Sequence, residues 1–423
     1  MRVDTASKMQ RIDAQVLIPG RGSPITNGTL IFCEKKITFV GEKSKLPTKY
    51  QEISPIEVPI LMPGLWDCHV HLCGSARYSL GDVASTHMVV AGARCAREVV
   101  AMLNAGFTSV RELASYGVQL ATVIDEGWLP GPNIYSSVSI LSTTSGHGNV
   151  RGIPLDVLWR KIENGTPLYL CDGVNECIKG VRVQIRKGAK VIKLAASGGI
   201  VREGDDVFAQ QFSDKELAAI VDEASRNNLL VAAHCHANKA ILAAIKAGCR
   251  TIEHATLIED DAIQLMVEKD VLLIATRGIV KFGAEQPEIA VREHCKINKQ
   301  HAEGYRKAVK AGVRIAIGTD MLLNSFKLPW GYGMNGVELK SAVEAGMTPL
   351  QAIEAATANG PASLGPKAVN SGLLKEGFDA DFIGLDKNPL EDIEILGDAK
   401  NIIHVWKGGK LFKTNGQPIG FLN

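Results

Sequence analysis

The sequence predicts an α/β protein: a (β/α)8 TIM barrel with a small β-sandwich domain built from both chain ends. Three observations carry this. Through the middle of the chain, eight strand-like segments alternate with helix-like ones. Several helix-like segments run through a glycine into the next strand, in "NAGFTSV", "RKGAKVI", "KAGCRTI" and "KAGVRIA", which fits glycine in the left-handed position after a helix. Both ends have a different texture, with short β-branched runs broken by Gly, Pro and Asn.

In order, the first sixty residues read as strands in "RIDAQVLIP", "GTLIFCE" and "KKITFVGE". The expected barrel strands are 58–67, 107–113, 133–140, 189–196, 229–236, 250–255, 271–278 and 313–320. They are nearly continuous apolar runs, as strands covered on both faces must be. Between them lie helices such as 213–226, where Ser213 is an N-cap with carboxylates in the first turn. Eight such units in roughly 300 residues match the size of a (β/α)8 barrel. The chain then returns to strand texture in "DADFIGLD" and "NIIHVWKGGKLF". Neither end has enough strands for a stable sheet alone, so the two are expected to pair. The expected division is 1–62 and 370–423 for the β-sandwich and 63–369 for the barrel.

Composition narrows the function. The chain has 423 residues, 46% apolar and 22% charged, with a net charge of +2 and both signs interspersed. That is ordinary for a globular enzyme and lacks the basic stripe of a nucleic-acid binder. No apolar run is as long as a membrane-spanning helix, and "MRVDTASKMQ" has no signal-peptide core, so a cytoplasmic location is expected. Nine scattered cysteines without CxxC pairs argue against a disulfide framework.

Barrel active sites sit at the C-terminal ends of the strands. There the sequence places His69 and His71 ("DCHVHL"), Lys193 ("VIKLAA"), His234 and His236 ("AAHCHA"), His254 ("IEHA") and Asp320 ("IGTDM"). A lone histidine in a strand reads first as a core or rim residue. A His-x-His pair points both rings to one face, because side chains alternate along a strand. Imidazole with carboxylate is a donor set suited to zinc and related divalent ions. Lys193 is the odd member, a cation inside an apolar strand, where an unpaired charge costs several kcal/mol. Cys68 and Cys235, by alternation, face away and read as small buried hydrophobes.

Other polar groups fall in loops after strands. His147 lies between glycines in "SGHGN", which suits a substrate-binding role. Arg277, in "IATRG", reads either as a partner for a substrate carboxylate or as a rim ion pair. Ser197, Gly198 and Gly199 read as the turn that clears space around Lys193. Trp330 and Tyr332, in the long 321–333 loop, either line or cap an aromatic pocket.

"MPGLWDCHVHL", the strand lysine, "HCH", "EH" and "GTD" together resemble the amidohydrolase superfamily, over essentially the whole chain. "RKGAKVIK", "AIKAGC" and "IHVWKGGKLFK" are most similar to its imidazolonepropionase/prolidase-like branch, and there to the fungal ochratoxinase group. The resemblance implies two divalent metal ions, Zn2+ first among them. His69, His71 and Asp320 would hold one, and His234 and His254 the other. Lys193, carboxylated by CO2 to N6-carboxylysine, would bridge them. His236 would not be a ligand but would meet the substrate.

The activity implied is hydrolysis of an amide bond next to a free amino-acid carboxylate, as in ochratoxin A and similar N-acyl amino acids. A metal-bridging hydroxide would attack, with Asp320 as general base and acid. Alternatives are an Xaa-Pro dipeptidase or cyclic-amide hydrolase, then a metal-dependent decarboxylase or a scaffold without activity. The expected partner is a small-molecule amide substrate, with no nucleic acid and no membrane. The resemblance also implies a homo-oligomer, an octamer being one form.

Overall fold

In the computed structural model the described residues are 9–77, 79–200, 205–285, 292–323 and 330–419. They form an α/β fold with one mixed sheet and two parallel sheets, consistent with the expected barrel type.

The mixed sheet joins the two ends of the chain. From the N-terminal side come β1 (Gln10–Leu17), β2 (Ile25–Cys33), β3 (Lys36–Glu42) and β4 (Pro55–Pro63). The parallel sheets use β5 (Leu65–Ser75), β6 (Phe107–Glu112), β7 (Asn133–Ser136), β8 (Ile140–Ser142), β9 (Leu168–Leu170), β10 (Ile192–Ala195), β11 (Val231–Ala237), β12 (Thr251–Leu257), β13 (Leu272–Ile274) and β14 (Met321–Leu323). Then β15 (Phe382–Leu385), β16 (Ile402–Lys407), β17 (Lys410–Thr414) and β18 (Gln417–Pro418) return to the mixed sheet. Its order is β18-β17-β16-β15-β4-β1-β2-β3. The seam is the antiparallel pair β15–β4, with Phe382 opposite Pro63. Ile12, Leu17, Leu30, Phe32, Phe382 and Trp406 form the core on this sheet, each fully buried.

The parallel sheets run β14-β5-β6-β7 and β13-β12-β11-β10-β8-β9. Hydrogen bonds connect them on both sides. Lys190 N–H donates to Ser136 O at 2.8 Å. Opposite, Ala316 N–H donates to Leu273 O at 3.1 Å, and Cys68 N–H to Ile317 O at 2.8 Å. The segment 313–320 therefore lies between β13 and β5, although among the described residues its strand pairing is the single bridge Leu273–Ile315.

The strands depart from expectation at several places. The run 58–67 splits, since β4 stays in the mixed sheet while β5 enters the barrel sheet. The break is at Gly64, where any Cβ would overlap Thr108. The run 133–140 splits into β7 and β8 around Val138, at a φ of +72°. β9 was not expected; it pairs with β8.

The local signals otherwise work as physical chemistry requires. Ser213 caps the helix Asp214–Ser225 in a reciprocal capping box with Glu216. Gly248 ends the helix Asn238–Ala247 at a φ of +103°, which turns the chain into β12.

Candidate metal centre

β5 points His69 and His71 to one face, and β11 does the same for His234 and His236. In β12 alternation alone would set Glu253 and His254 on opposite faces. Left-handed backbone at His254 (φ +71°) and Ala255 (φ +51°) breaks that rule. Asp320 is also left-handed, at +58°, with its N–H donating to His69 O at 2.7 Å. Such conformations cost about 1–3 kcal/mol each and persist where surrounding structure enforces them.

These side chains converge in two groups, His69–His71–Asp320 and His234–His236–His254, each with donor atoms within 4.8 Å of one another. Asp320 Oδ1 is 3.1 Å from His71 Nε2 and 3.4 Å from His69 Nε2. The groups touch through His69 and His254, whose ring centroids are 5.0 Å apart. Lys193 Nζ lies 3.4 Å from His69 Nε2. All six expected ligands thus meet, and His236, assigned to substrate by the resemblance, sits in the same cluster.

Burial sets their protonation. It lowers His69 to about 4 and His236 to about 3, and takes His234 and His254 well below the usual histidine value. These imidazoles are neutral at pH 7 and carry a lone pair, the form a metal needs. Burial lowers the Lys193 amine to about 8. Burial raises the Asp320 carboxyl, but His69 and His71 outweigh it, and the group ends below its usual value. Neutral imidazoles and an ionised carboxylate fit a pair of divalent cations by donor chemistry.

Partners behind the donors fix their rings. His236 Nδ1 is 2.8 Å from Thr256 Oγ1, and His254 Nδ1 is 2.7 Å from Thr276 Oγ1. His69 Nδ1 is 2.8 Å from Glu253 Oε2, and Glu253 meets the Arg111 guanidinium at 2.7 and 2.8 Å. Asp67 accepts from Thr319 Oγ1 at 2.7 Å and Asn335 Nδ2 at 2.8 Å, tying β5 to the segment before Asp320. Sequence reasoning missed Glu253, Arg111 and Asp67. The available signal was the same as for Lys193, a charge inside an apolar strand.

The centre lies on the floor of a cavity of ≈ 470 Å³. Leu80, Val83, Ile140, Val150, Leu168 and Ile279 supply apolar walls, and Arg151 also lines it. His147 lies in this cavity, its ring stacked on His234 at 4.4 Å and its Nδ1 2.8 Å from Asp205 Oδ2. A Cβ on Gly199 would overlap the His147 ring, so that glycine makes room for His147 rather than for Lys193.

Arg277 opens the helix Arg277–Glu285 rather than ending the expected strand 271–278, and among the described residues it is not one that lines this cavity. Its guanidinium turns inward, with Nη2 donating to Asn298 Oδ1 at 2.5 Å and Nη1 3.3 Å from His301 Nδ1. Tyr332 is buried, its hydroxyl 2.8 Å from the carbonyl oxygens of His71 and Met321, and Trp330 packs over Gly278. Neither is among the lining residues. Residues 324–329 of that loop lie outside the described residues. Cys68 and Cys235 are fully buried, and burial pushes the Cys68 thiol up to about 12. No described helix is long and apolar enough to cross a membrane.

Paired histidines on β5 and β11, His254 on β12 and Asp320 just before β14 are a donor set that fits a metal-dependent class of enzyme. The Amidohydrolase family model matches residues 60–412, and the chain belongs to that family. It is a hydrolase acting on amide bonds. Ochratoxinase of Aspergillus niger is 44% identical to it, over 97% of this chain and 88% of the relative. The crystal structure of that ochratoxinase superposes with a TM-score of 0.91, at 43% identity, covering 98% of this chain and 97% of the other. A prolidase complexed with N-methylphosphonate-L-proline gives 0.85 at 30% identity, covering 96% and 100%. An Xaa-Pro dipeptidase with bound methionine gives 0.83 at 27%, covering 96% and 100%.

Proposed function

We propose that this protein hydrolyses the amide bond next to a free amino-acid carboxylate, with N-acyl amino acids of the ochratoxin A type as substrates. One observation carries the reading: two donor groups, one buried and one partly buried, share the floor of an apolar-walled cavity. The similarity to ochratoxinase supports the substrate class.

His69, His71 and Asp320 would hold one divalent ion, His234 and His254 the other, and Lys193 would join them once carboxylated. Zinc suits the donors. When bound, the ions supply Lewis acidity and lower the pKa of water. The Lys193 amine, made less basic by burial, reacts with CO2 in its neutral form. The N–C bond forms, a proton leaves and the product is an anionic carbamate. Asp320, held ionised by its histidine neighbours, accepts the proton of the attacking water and delivers it to the departing nitrogen. His236 and His147 orient the carbonyl and the substrate carboxylate, and the apolar walls hold the acyl group and exclude water.

The same reading extends to the whole molecule. The two parallel sheets form a closed (β/α)8 barrel over 63–369. The sheet from 1–62 and 370–423 folds over its own core as a sandwich. The working form is a homo-oligomer in the cytoplasm.

The similarity to prolidases keeps Xaa-Pro dipeptides as a second substrate class. Initial rates on N-acyl amino acids with bulky acyl groups, Xaa-Pro dipeptides and lactams separate the two. The expected order has N-acyl amino acids first, with activity lost on chelation and restored by zinc. No turnover of any N-acyl amino acid by metal-loaded protein overturns the proposal.

A further inference from the structure

Beneath the donors lies a second layer of charge. Arg111 comes from β6, Glu253 from β12 and His69 from β5. Arg111 and Glu253 are fully buried. Glu253 Oε1 accepts from Arg111 Nη2 at 2.7 Å and Thr251 Oγ1 at 2.7 Å. Glu253 Oε2 accepts from Arg111 Nη2 at 2.8 Å and lies 2.8 Å from His69 Nδ1. Arg111 also donates to Cys68 O at 2.7 Å, the carbonyl next to His69.

A buried ion pair is rarely the most stable filling for a core, and apolar residues of similar volume often do as well or better. This one stands against a metal-donor histidine. We propose that Glu253, held by Arg111, is the positioning residue for the His69 side of the centre. The inference rests on the metal-centre reading above. A carboxylate without a proton can only accept, so Nδ1 of His69 carries the hydrogen. Nε2 is then the lone-pair nitrogen, and it faces Asp320 and Lys193. Partners of this kind fix the tautomer and orientation of a ligand and raise its basicity. Glu253 is no ligand itself, since both its oxygens are engaged by Arg111.

The arrangement predicts an asymmetric loss. Metal content and affinity are measured by dialysis against zinc with graded chelator, beside thermal unfolding of the metal-free proteins. Wild type is expected to bind two ions. Glu253→Gln is expected to hold the ion on the His234 side and to bind the other about 10–100-fold more weakly. The double variant R111M/E253L leaves no charge unpaired and serves if E253Q does not fold. It is expected to show the same one-sided loss with an unfolding temperature near wild type. Two ions bound with wild-type affinity in a variant overturn the inference, as does an equal loss from both sides, which marks a structural brace. A wild type that binds no divalent ion fails earlier, at the metal-centre reading, and takes this inference with it.

Discussion

Lys193 is 1% exposed and keeps its amine among imidazoles, with burial lowering its pKa to about 8. If the amine becomes a carbamate, its removal deletes a ligand shared by both ions. Lys193→Ala is therefore expected to lose bound metal and at least about 100-fold in turnover, with partial recovery on adding small carboxylic acids. Full activity with both ions retained would falsify the bridging role. The residues of this centre were unequally legible. His-x-His pairs declare themselves by period, and Lys193 by its misfit in an apolar strand. Glu253 and Arg111 are misfits of the same kind, but their reason is a partner across the sheets, 142 positions apart. Arg277 reads as the end of a strand, but β13 stops at Ile274 and Arg277 opens the helix Arg277–Glu285.

At the scale of elements, most of the strands are legible and their ends are not. The run 58–67 reads as one strand because its apolar pattern is continuous, and nothing in that pattern marks a change of sheet. Only Gly64, by permitting close approach to Thr108, does so. Among the described residues the segment 313–320 has strand composition yet forms a single bridge, with further backbone bonds to β5 from Ile317 O, which accepts from Cys68 N–H, and from Asp320 N–H, which donates to His69 O. The turn after β10 yields a prediction. Gly199 lies under the His147 ring, and Asp205 accepts from Gly199 N–H at 2.9 Å. The Cβ added by Gly199→Ala meets the His147 ring rather than a candidate metal donor. The expected result is a rise in KM of about tenfold, roughly 1.4 kcal/mol of binding, with metal content unchanged. A KM equal to wild type would remove His147 from substrate binding.

The whole molecule carries its own pH dependence. Glu98, on the helix Met88–Asn104, is fully buried, and burial raises its carboxyl from 4.5 to about 8. Between those values the folded protein keeps a proton that the unfolded chain has lost, so stability falls as pH rises from about 4.5 to about 8. Glu98→Gln keeps a neutral side chain at every pH. Its unfolding temperature relative to wild type is expected to climb steadily from pH 5 to pH 8; a constant difference would show that Glu98 ionises normally. The sheet shared by the chain ends has a different consequence, in time. On the ribosome, β4 emerges early with one edge open, and β15, its partner, lies roughly 300 residues behind. At roughly 5–20 residues per second that gap is on the order of 15–60 s. For that interval the nascent chain displays an unpaired strand edge, the feature through which chains stick to one another. Synthesis rate and chaperone supply, more than final stability, should then govern how much of this enzyme reaches its native state.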